Sequence, residues 1–572
     1  MFESAKKESQ YLIRAGIFLP ILIFIAFLIT FSINVPWMDD MDAFPDFLGR
    51  FLKADNWDEK WWLLFKPNNE HRIVYAKLMN LWWYFVTGEL NMKLIMIFGN
   101  ITLLGILWLF WRVLKEQNIP LKYFLPIPLL LLHPQYYLIS LWSITGHQYQ
   151  PVIFFGLLGI FLLTRNTITT FIFAVLVIIF DSFTMSNGLF FWFVGIIILL
   201  LQGRIRLTGI WVILTILTIK IYFYKFDTEA NDLGFAYFMK HPHESFLGFF
   251  TTLGGSVDFW NHKAIFVRSI APTILGMVLV SIGTYWSLGL ALYSKELPFS
   301  WLKLTRKGKL FELHQRIADK PINLLILGGF LFLAANALVI GILRPRFGYF
   351  VMLVSNYKIY PITLLILVYL MLLTGWLRKT SNQKYFYLFL VFSLLFNIAS
   401  YLKFTPEVIE RRKDLLVRAY NQKNNLIGLG AERHSPFREY AITALKRLTD
   451  QGIYVYPKSF VADMESQLLA PLPENKVIEA NIVKASDGER IENTDLKISG
   501  GINDGAYLIL KSAQNTYLIY GQQERFFGGK VGFSLLVPTK MLEPADYQIG
   551  IMVVSSGKSE IFNTKKQISV NY

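Results

Sequence analysis

The chain has 572 residues, of which 54% are hydrophobic, 16% aromatic and only 17% charged; a soluble protein carries about 25% charged residues, so a wholly soluble globular fold is excluded. There is no cysteine, which excludes disulfides, thiol nucleophiles and thiolate metal sites. The formal net charge of +16 sits in short loops between apolar runs, the pattern that orients a membrane protein rather than the basic face of a nucleic-acid binder.

Residues 11–402 are mostly apolar runs, whereas 403–572 has ordinary polar composition. The first run, Tyr11–Ile33, follows Lys6, Lys7 and Arg14, which predicts a cytoplasmic N-terminus. No small-residue cleavage pattern follows it and many runs do, so it reads as a retained span rather than a signal peptide. Further runs fall near 91–111, 122–139, 150–164, 168–183, 188–202, 208–224, 264–293, 322–343, 359–377 and 385–402. They predict about eleven transmembrane helices. Cytoplasmic loops are marked by Arg112, Lys115 and Lys122, by Arg204 and Arg206, by Lys303, Arg306, Lys307 and Lys309, and by Arg378, Lys379 and Lys384. An odd number of spans leaves the C-terminus outside. Segment 225–263 could hold a re-entrant piece.

The first outside loop, 34–90, contains two moderately apolar stretches, 43–54 and 72–87, that read as amphipathic helices at the membrane surface. Trp57, Trp61, Trp62, Trp82 and Trp83 suit the headgroup level. Beyond Lys403, Glu407–Tyr420 and Pro436–Leu448 have helical spacing, the second capped by Ser435 and stopped at Gly452. From Val477 the hydrophobic period becomes two, with turns at Asn503-Asp504-Gly505 and Ser556-Gly557. The expected fold is therefore mainly α: a polytopic membrane domain at 1–402, a helical connector at 403–475, and an extracytoplasmic β-sandwich at 476–572.

Candidate chemistry gathers in the outside loops. Asp39, Asp40 and Asp42 directly follow the first span, and Glu70, His71 and Arg72 stand further along the same loop. Carboxylates there can act as general base toward an acceptor, or hold a divalent ion such as Mg or Mn beside a phosphate. His71 and Arg72 could bind that phosphate. The plainer alternative is that outside flanks simply tolerate acids. Arg344 and Arg346 lie at an outside helix end, against the orientation trend. A lipid phosphate would explain them, as would snorkelling into anionic headgroups. Asp181 ends an apolar run and is a functional candidate by its depth, or part of a helix-end turn. His147, with Gln148 and Gln150, would suit a sugar or an interface anchor. His241, His243 and Glu244 lack a zinc pattern, and no nucleotide-phosphate loop is present.

A first span, an outside loop opening Trp37-Met38-Asp39-Asp40, two interfacial helices and a second span resemble the glycosyltransferase C superfamily, which includes polyprenyl-phosphate-dependent protein mannosyltransferases and lipid A aminoarabinose transferases. Asn69-Glu70-His71-Arg72 is similar to a motif of bacterial members. Arg344-Pro345-Arg346-Phe347-Gly348 followed by Ser355-Asn356-Tyr357-Lys358 resembles their Arg-Phe-Gly and Ser-Arg-Tyr pair, with Asn356 where the second Arg would stand and Lys358 two residues on. The resemblance implies a bacterial plasma-membrane enzyme that moves a sugar from a polyprenyl-phosphate donor to a lipid, glycan or protein acceptor outside. Asp40, or Asp39, would orient or deprotonate the acceptor. Arg344, Arg346, His71, Arg72 and Lys358 would hold the donor phosphate, near Tyr357. The rival readings are a transporter or lipid flippase, and a membrane-anchored binding module without enzymatic activity.

Overall fold

The computed structural model describes residues 2–226, 231–293, 315, 317–377, 383–430, 432–485, 488–521 and 530–571. The loop cations Lys303, Arg306, Lys307, Lys309, Arg378 and Lys379 lie outside the described residues. The chain divides into two compact units: Met1–Thr30 with Leu64–Leu78 and Met96–Phe404, and Phe31–Leu63 with Met79–Ile95 and Thr405–Tyr572. Segment 34–90, expected as one loop of the N-terminal domain, is thus shared between the units.

The first unit is built on ten apolar helices: α1 (Gln10–Phe31), α2 (Met92–Glu116), α3 (Ser143–Leu163), α4 (Ile168–Ser182), α5 (Ser186–Leu201), α6 (Ile205–Tyr222), α7 (Ile265–Tyr293), α8 (Asn323–Leu343), α9 (Ser355–Gly375) and α10 (Gln383–Asn425). Eight of them are long and apolar enough to cross a membrane, and α4 and α5 are shorter. The 22 residues of α1 rise about 33 Å, against a hydrocarbon thickness of about 30 Å. α10 runs on without a break through Pro406 to Asn425, so the helix expected at Glu407–Tyr420 is its continuation.

The expected span at 122–139 is not one helix. It runs as short pieces at Leu121–Phe124, Pro126–Leu131, Pro134–Tyr136 and Tyr137–Ser140. Three prolines, Pro126, Pro128 and Pro134, deny the backbone continuous helical bonds. Neighbouring helices satisfy the freed carbonyls. Asn397 Nδ2 donates to Leu129 O at 2.7 Å and Leu132 O at 3.0 Å, and Ser355 Oγ donates to Gln135 O at 2.9 Å. That repair is what an apolar surrounding requires. The helix Pro242–Gly254 crosses α7 with backbones nearly touching, since a Cβ on Gly254 would lie 1.8 Å from Pro272 O. Only small residues permit such an approach.

α8 relates the two ends of the bundle. At its start Asn323 accepts from Gln117 Nε2 at 2.8 Å. Nearby, Glu116 holds Arg112 at 2.8 Å and Arg165 at 2.5 Å. At the other end of α8 stands Arg344.

Among the described residues the second unit contains seven antiparallel strands in two sheets. One orders β1 (Asn481–Ala485), β2 (Gly488–Ile498) and β5 (Lys530–Leu536); the other orders β4 (Thr516–Tyr520), β3 (Gly505–Lys511), β6 (Ala545–Ser555) and β7 (Lys558–Val570). Ile491 and Leu535 of the first sheet share a core with Leu508, Ile549 and Ile551 of the second, which makes the expected sandwich. β3 is buried on both faces. Its outer face is covered by the C-terminal part of α10, where Asn421 exchanges two bonds with Leu518 of β4 at 2.6 and 3.0 Å. The helix Pro436–Asp450 begins at Ser435, whose Oγ accepts from Arg438 N at 3.2 Å, as its sequence implies. The loop pieces of this unit include helices Phe47–Lys53 and Trp57–Phe65. Trp57 and Trp61 of the latter are exposed.

Candidate functional site

α4 has 15 residues, about 22 Å at helical rise, and α5 resumes only at Ser186. Their short connection leaves a hollow of about 390 Å³ whose walls come from α5, α6 and α8 and from the loop carrying Glu70 and His71. Phe190, Phe193, Ile219, Val339 and Leu343 make most of the wall apolar, while Glu70, His71, Arg344, Ser186, Asn187, Asn336 and four tyrosines supply the polar groups. Phe193 and Phe223 are about half exposed on the outer face of the helices.

Three expected residues meet as an ion cluster. Glu70 Oε2 accepts from Arg344 at 2.7 Å, and Glu70 Oε1 lies 3.6 Å from Arg346. One carboxylate thus meets two guanidinium groups, Arg344 closely and Arg346 more loosely. Although burial opposes it, Tyr357 and then Glu70 raise the pKa of Arg344, so it stays charged. Arg346 also lies over the Phe347 ring at 4.5 Å. Gly348 follows with φ of +103°, a conformation that L side chains avoid and glycine accepts, and it turns the chain from Arg344–Phe347 into the next helical turn.

His71 lines the same cavity, its Nδ1 2.7 Å from Ser186 Oγ. Burial, aided by the charge of Arg344 and opposed by Glu70, lowers its pKa to about 4. The imidazole is therefore neutral at physiological pH, a hydrogen-bonding group rather than a cation. Tyr357 also lines the cavity.

Other expected residues are used differently. Arg72 is buried, and its guanidinium donates to the carbonyls of Phe65, Tyr222 and Tyr224. Its backbone N–H meets Tyr222 Oη at 3.0 Å. It staples the loop to the end of α6 and is not part of the cavity wall. Burial lowers its pKa. Lys358 is bound to Asp258 Oδ2 at 2.8 Å, and Arg268 grips the same carboxylate at 2.6 and 2.7 Å. Burial pushes the Asp258 pKa up, but Arg268 and Lys358 outweigh it and the net shift is downward. His147 is buried with Nδ1 2.9 Å from Ser143 O and its ring against Tyr75, as packing requires. Asp181 is buried at the end of α4, and neither carboxylate oxygen has a hydrogen-bond partner among the described residues.

Asp39, Asp40 and Asp42 belong to the second unit. Asp40 is fully buried and its Oδ2 accepts from Trp37 N at 3.1 Å. Asp42 Oδ1 accepts from Tyr440 Oη at 3.2 Å. Arg411 lies over the Trp37 ring at 4.6 Å. Among the described residues no group of three or more metal-ligating side chains comes together.

Sequence reasoning passed over Asp258, Arg268, Asn336 and Tyr360. Asn336 carries a readable signal, a lone amide inside an otherwise apolar helix. Asp258 pairs with Arg268 ten residues on and with Lys358 a hundred residues on, and no local pattern announces the second. No protein-family model, curated protein or solved structure matches the chain.

Proposed function

We propose that the chain is a membrane glycosyltransferase that moves a sugar from a polyprenyl-phosphate-linked donor to a lipid, glycan or protein acceptor outside the cytoplasm. The observation that supports this best is the cavity itself: an apolar slot between α5, α6 and α8 that ends at Arg344, which Glu70 holds at the cavity wall. An isoprenoid chain matches the slot, and an anionic phosphate matches Arg344 and Arg346, which would stabilise charge developing on the leaving group. Neutral His71 adds a hydrogen-bonding group beside them.

The proposed setting is a bacterial plasma membrane. Counting the broken pass at 121–140 with α1–α10 gives eleven crossings. The arginines near Glu116 then face the cytoplasm, and the cavity and the C-terminal unit face outward. The acceptor residue proposed from its place after α1 is Asp40 or Asp39. A general base takes the acceptor proton, the acceptor oxygen or nitrogen bonds the anomeric carbon, and the bond from that carbon to the phosphate oxygen breaks. Polyprenyl phosphate leaves with the electron pair.

The test uses a strain lacking the chain, complemented with wild type, Arg344→Gln or Asp40→Asn. Extracted lipid-linked sugars and surface glycan are compared. The deletion and both variants are expected to accumulate one lipid-linked sugar and lose one glycan. Wild-type glycan from both inserted variants would overturn the proposal.

A further inference from the structure

Three buried polar residues of the cavity wall have no role in the charge cluster. Asn187, Asn336 and Tyr360 are 6%, 4% and 1% exposed. Asn187 Nδ2 donates to Tyr360 Oη at 2.9 Å and the Asn336 amide also interacts with that hydroxyl, but among the described residues Asn187 Oδ1 has no partner and Asn336 Nδ2 no well-formed hydrogen bond. Turning the Asn187 amide over would pair its oxygen with the hydroxyl and leave its nitrogen unmatched instead. One hydrogen-bonding valence of Asn187 stays open either way. Buried polar groups are rarely left unmatched in native folds, and those that are call for a ligand or water.

The chemistry of that ligand is narrow. Asn187 offers an acceptor and Asn336 a donor, a pair best answered by hydroxyl groups, which both give and take hydrogen bonds. Tyr357 and Tyr360 place two rings nearly parallel, with centroids 6.5 Å apart, in the same wall. Such rings suit a compact group with apolar faces. Among the described lining residues the only strongly charged side chains are Glu70 and Arg344. A carboxylate or ammonium beside the asparagines would therefore have, among the described lining residues, no charged neighbour apart from the Glu70–Arg344 pair, whose charges already answer each other. Asn336 precedes Arg344 on the same helix by eight residues, about 12 Å of rise. With the reach of both side chains, that distance leaves room for one sugar ring.

We infer that Asn187 and Asn336, with Tyr360, form the subsite for the transferred sugar, and that this sugar is a single neutral, hydroxyl-bearing ring rather than a uronic acid or a cationic amino sugar. The inference rests on the lipid-linked-donor reading above and adds the class of sugar to it.

The test is binding by the full chain in lipid nanodiscs, using polyprenyl phosphate, polyprenyl phosphoglucose and polyprenyl phosphoglucuronate. Asn187→Leu and Asn336→Leu should each weaken phosphoglucose binding about 10-fold, the scale of one buried hydrogen bond, and leave sugar-free polyprenyl phosphate unchanged. Wild type should bind the glucuronate at least about 10-fold more weakly than the glucose form. Asn336→Leu puts an apolar residue in an apolar helix and serves if Asn187→Leu does not fold. The inference is overturned if the folded variants bind phosphoglucose like wild type, if they lose both lipids equally, or if glucuronate binds as well as glucose. Wild type that binds neither phosphate lipid refutes the donor reading separately. Octyl glucoside titrated into the same nanodiscs then decides the subsite: affinity that disappears in Asn336→Leu retains it, and affinity indifferent to the substitution removes it.

Discussion

Two clusters in the first unit are built from the same parts, one carboxylate and two cations, and packing gives them opposite characters. Asp258 holds Arg268 and Lys358 with both oxygens engaged, and its side chain and that of Lys358 are 0% and 4% exposed. Glu70 holds Arg344 at 2.7 Å but Arg346 only at 3.6 Å, and its side chain keeps 20% exposure beside a cavity. In the closed cluster both cations bond the one carboxylate directly, so it fixes the entry to α9. In the open one the carboxylate grips only Arg344 closely and stands beside unfilled space. Charge count does not separate a structural site from a ligand site; the unfilled space beside it does.

The largest effect that would sharpen this contrast is Asp258→Asn. It takes the carboxylate from buried Lys358 and partly exposed Arg268 and should cost about 3 kcal/mol. The measurement is the thermal midpoint of the purified protein at one scan rate. A loss below about 1 kcal/mol would mean that the cluster is solvated, and the contrast would collapse. Because the Asp258 pKa is depressed in the folded chain, its stabilisation is present above the ordinary carboxylate range and is lost as pH falls through the folded value.

Arg72→Met comes next. The arginine serves three carbonyls, so its loss should destabilise by about 2–3 kcal/mol. Affinity for polyprenyl phosphate per folded molecule should remain at the wild-type value. A variant that is stable but no longer binds would move Arg72 from the scaffold into the site.

Arg72 also shows how far sequence reasoning reaches. Its neighbours Glu70 and His71 do line the cavity, and Arg344 does meet them, because cations at the end of an apolar helix and a charged turn before another stand out locally. Arg72 shares their motif but folds back on the carbonyls of α6 and its connection, which no spacing announces. Lys358 is similar: its partner Asp258 lies about a hundred residues earlier. The broken pass at 121–140 was legible in Pro126, Pro128 and Pro134, yet hydropathy alone made it a span. The sandwich was legible from its period of two, while the covering of β3 by α10 depends on a helix that does not stop where its apolar stretch ends.

A smaller effect concerns the open cluster. Glu70→Gln removes the charge that competes for Arg344 and Arg346. Binding of polyprenyl phosphate should tighten about 5-fold, roughly 1 kcal/mol, because the pair is partly exposed. The gain should shrink with added salt. Weaker binding would show that Glu70 aims the arginines more than it occupies them.

The finest distinction lies in pH. Polyprenyl phosphoglucose carries a phosphodiester with one charge throughout the physiological range, so changes in its affinity report on the protein. His71 keeps a pKa of about 4 through burial and the nearby Arg344. Affinity should therefore stay level from about pH 8 to pH 5, since no imidazolium forms until lower pH. Folding stability should meanwhile fall as pH drops from about 6.5 toward 4, because the unfolded chain takes up a proton there that the folded imidazole refuses. A rise in affinity centred near pH 6.5 that vanishes in His71→Phe would mean that the imidazole is solvated, and that the open cluster carries a second titrating positive charge beside the arginines.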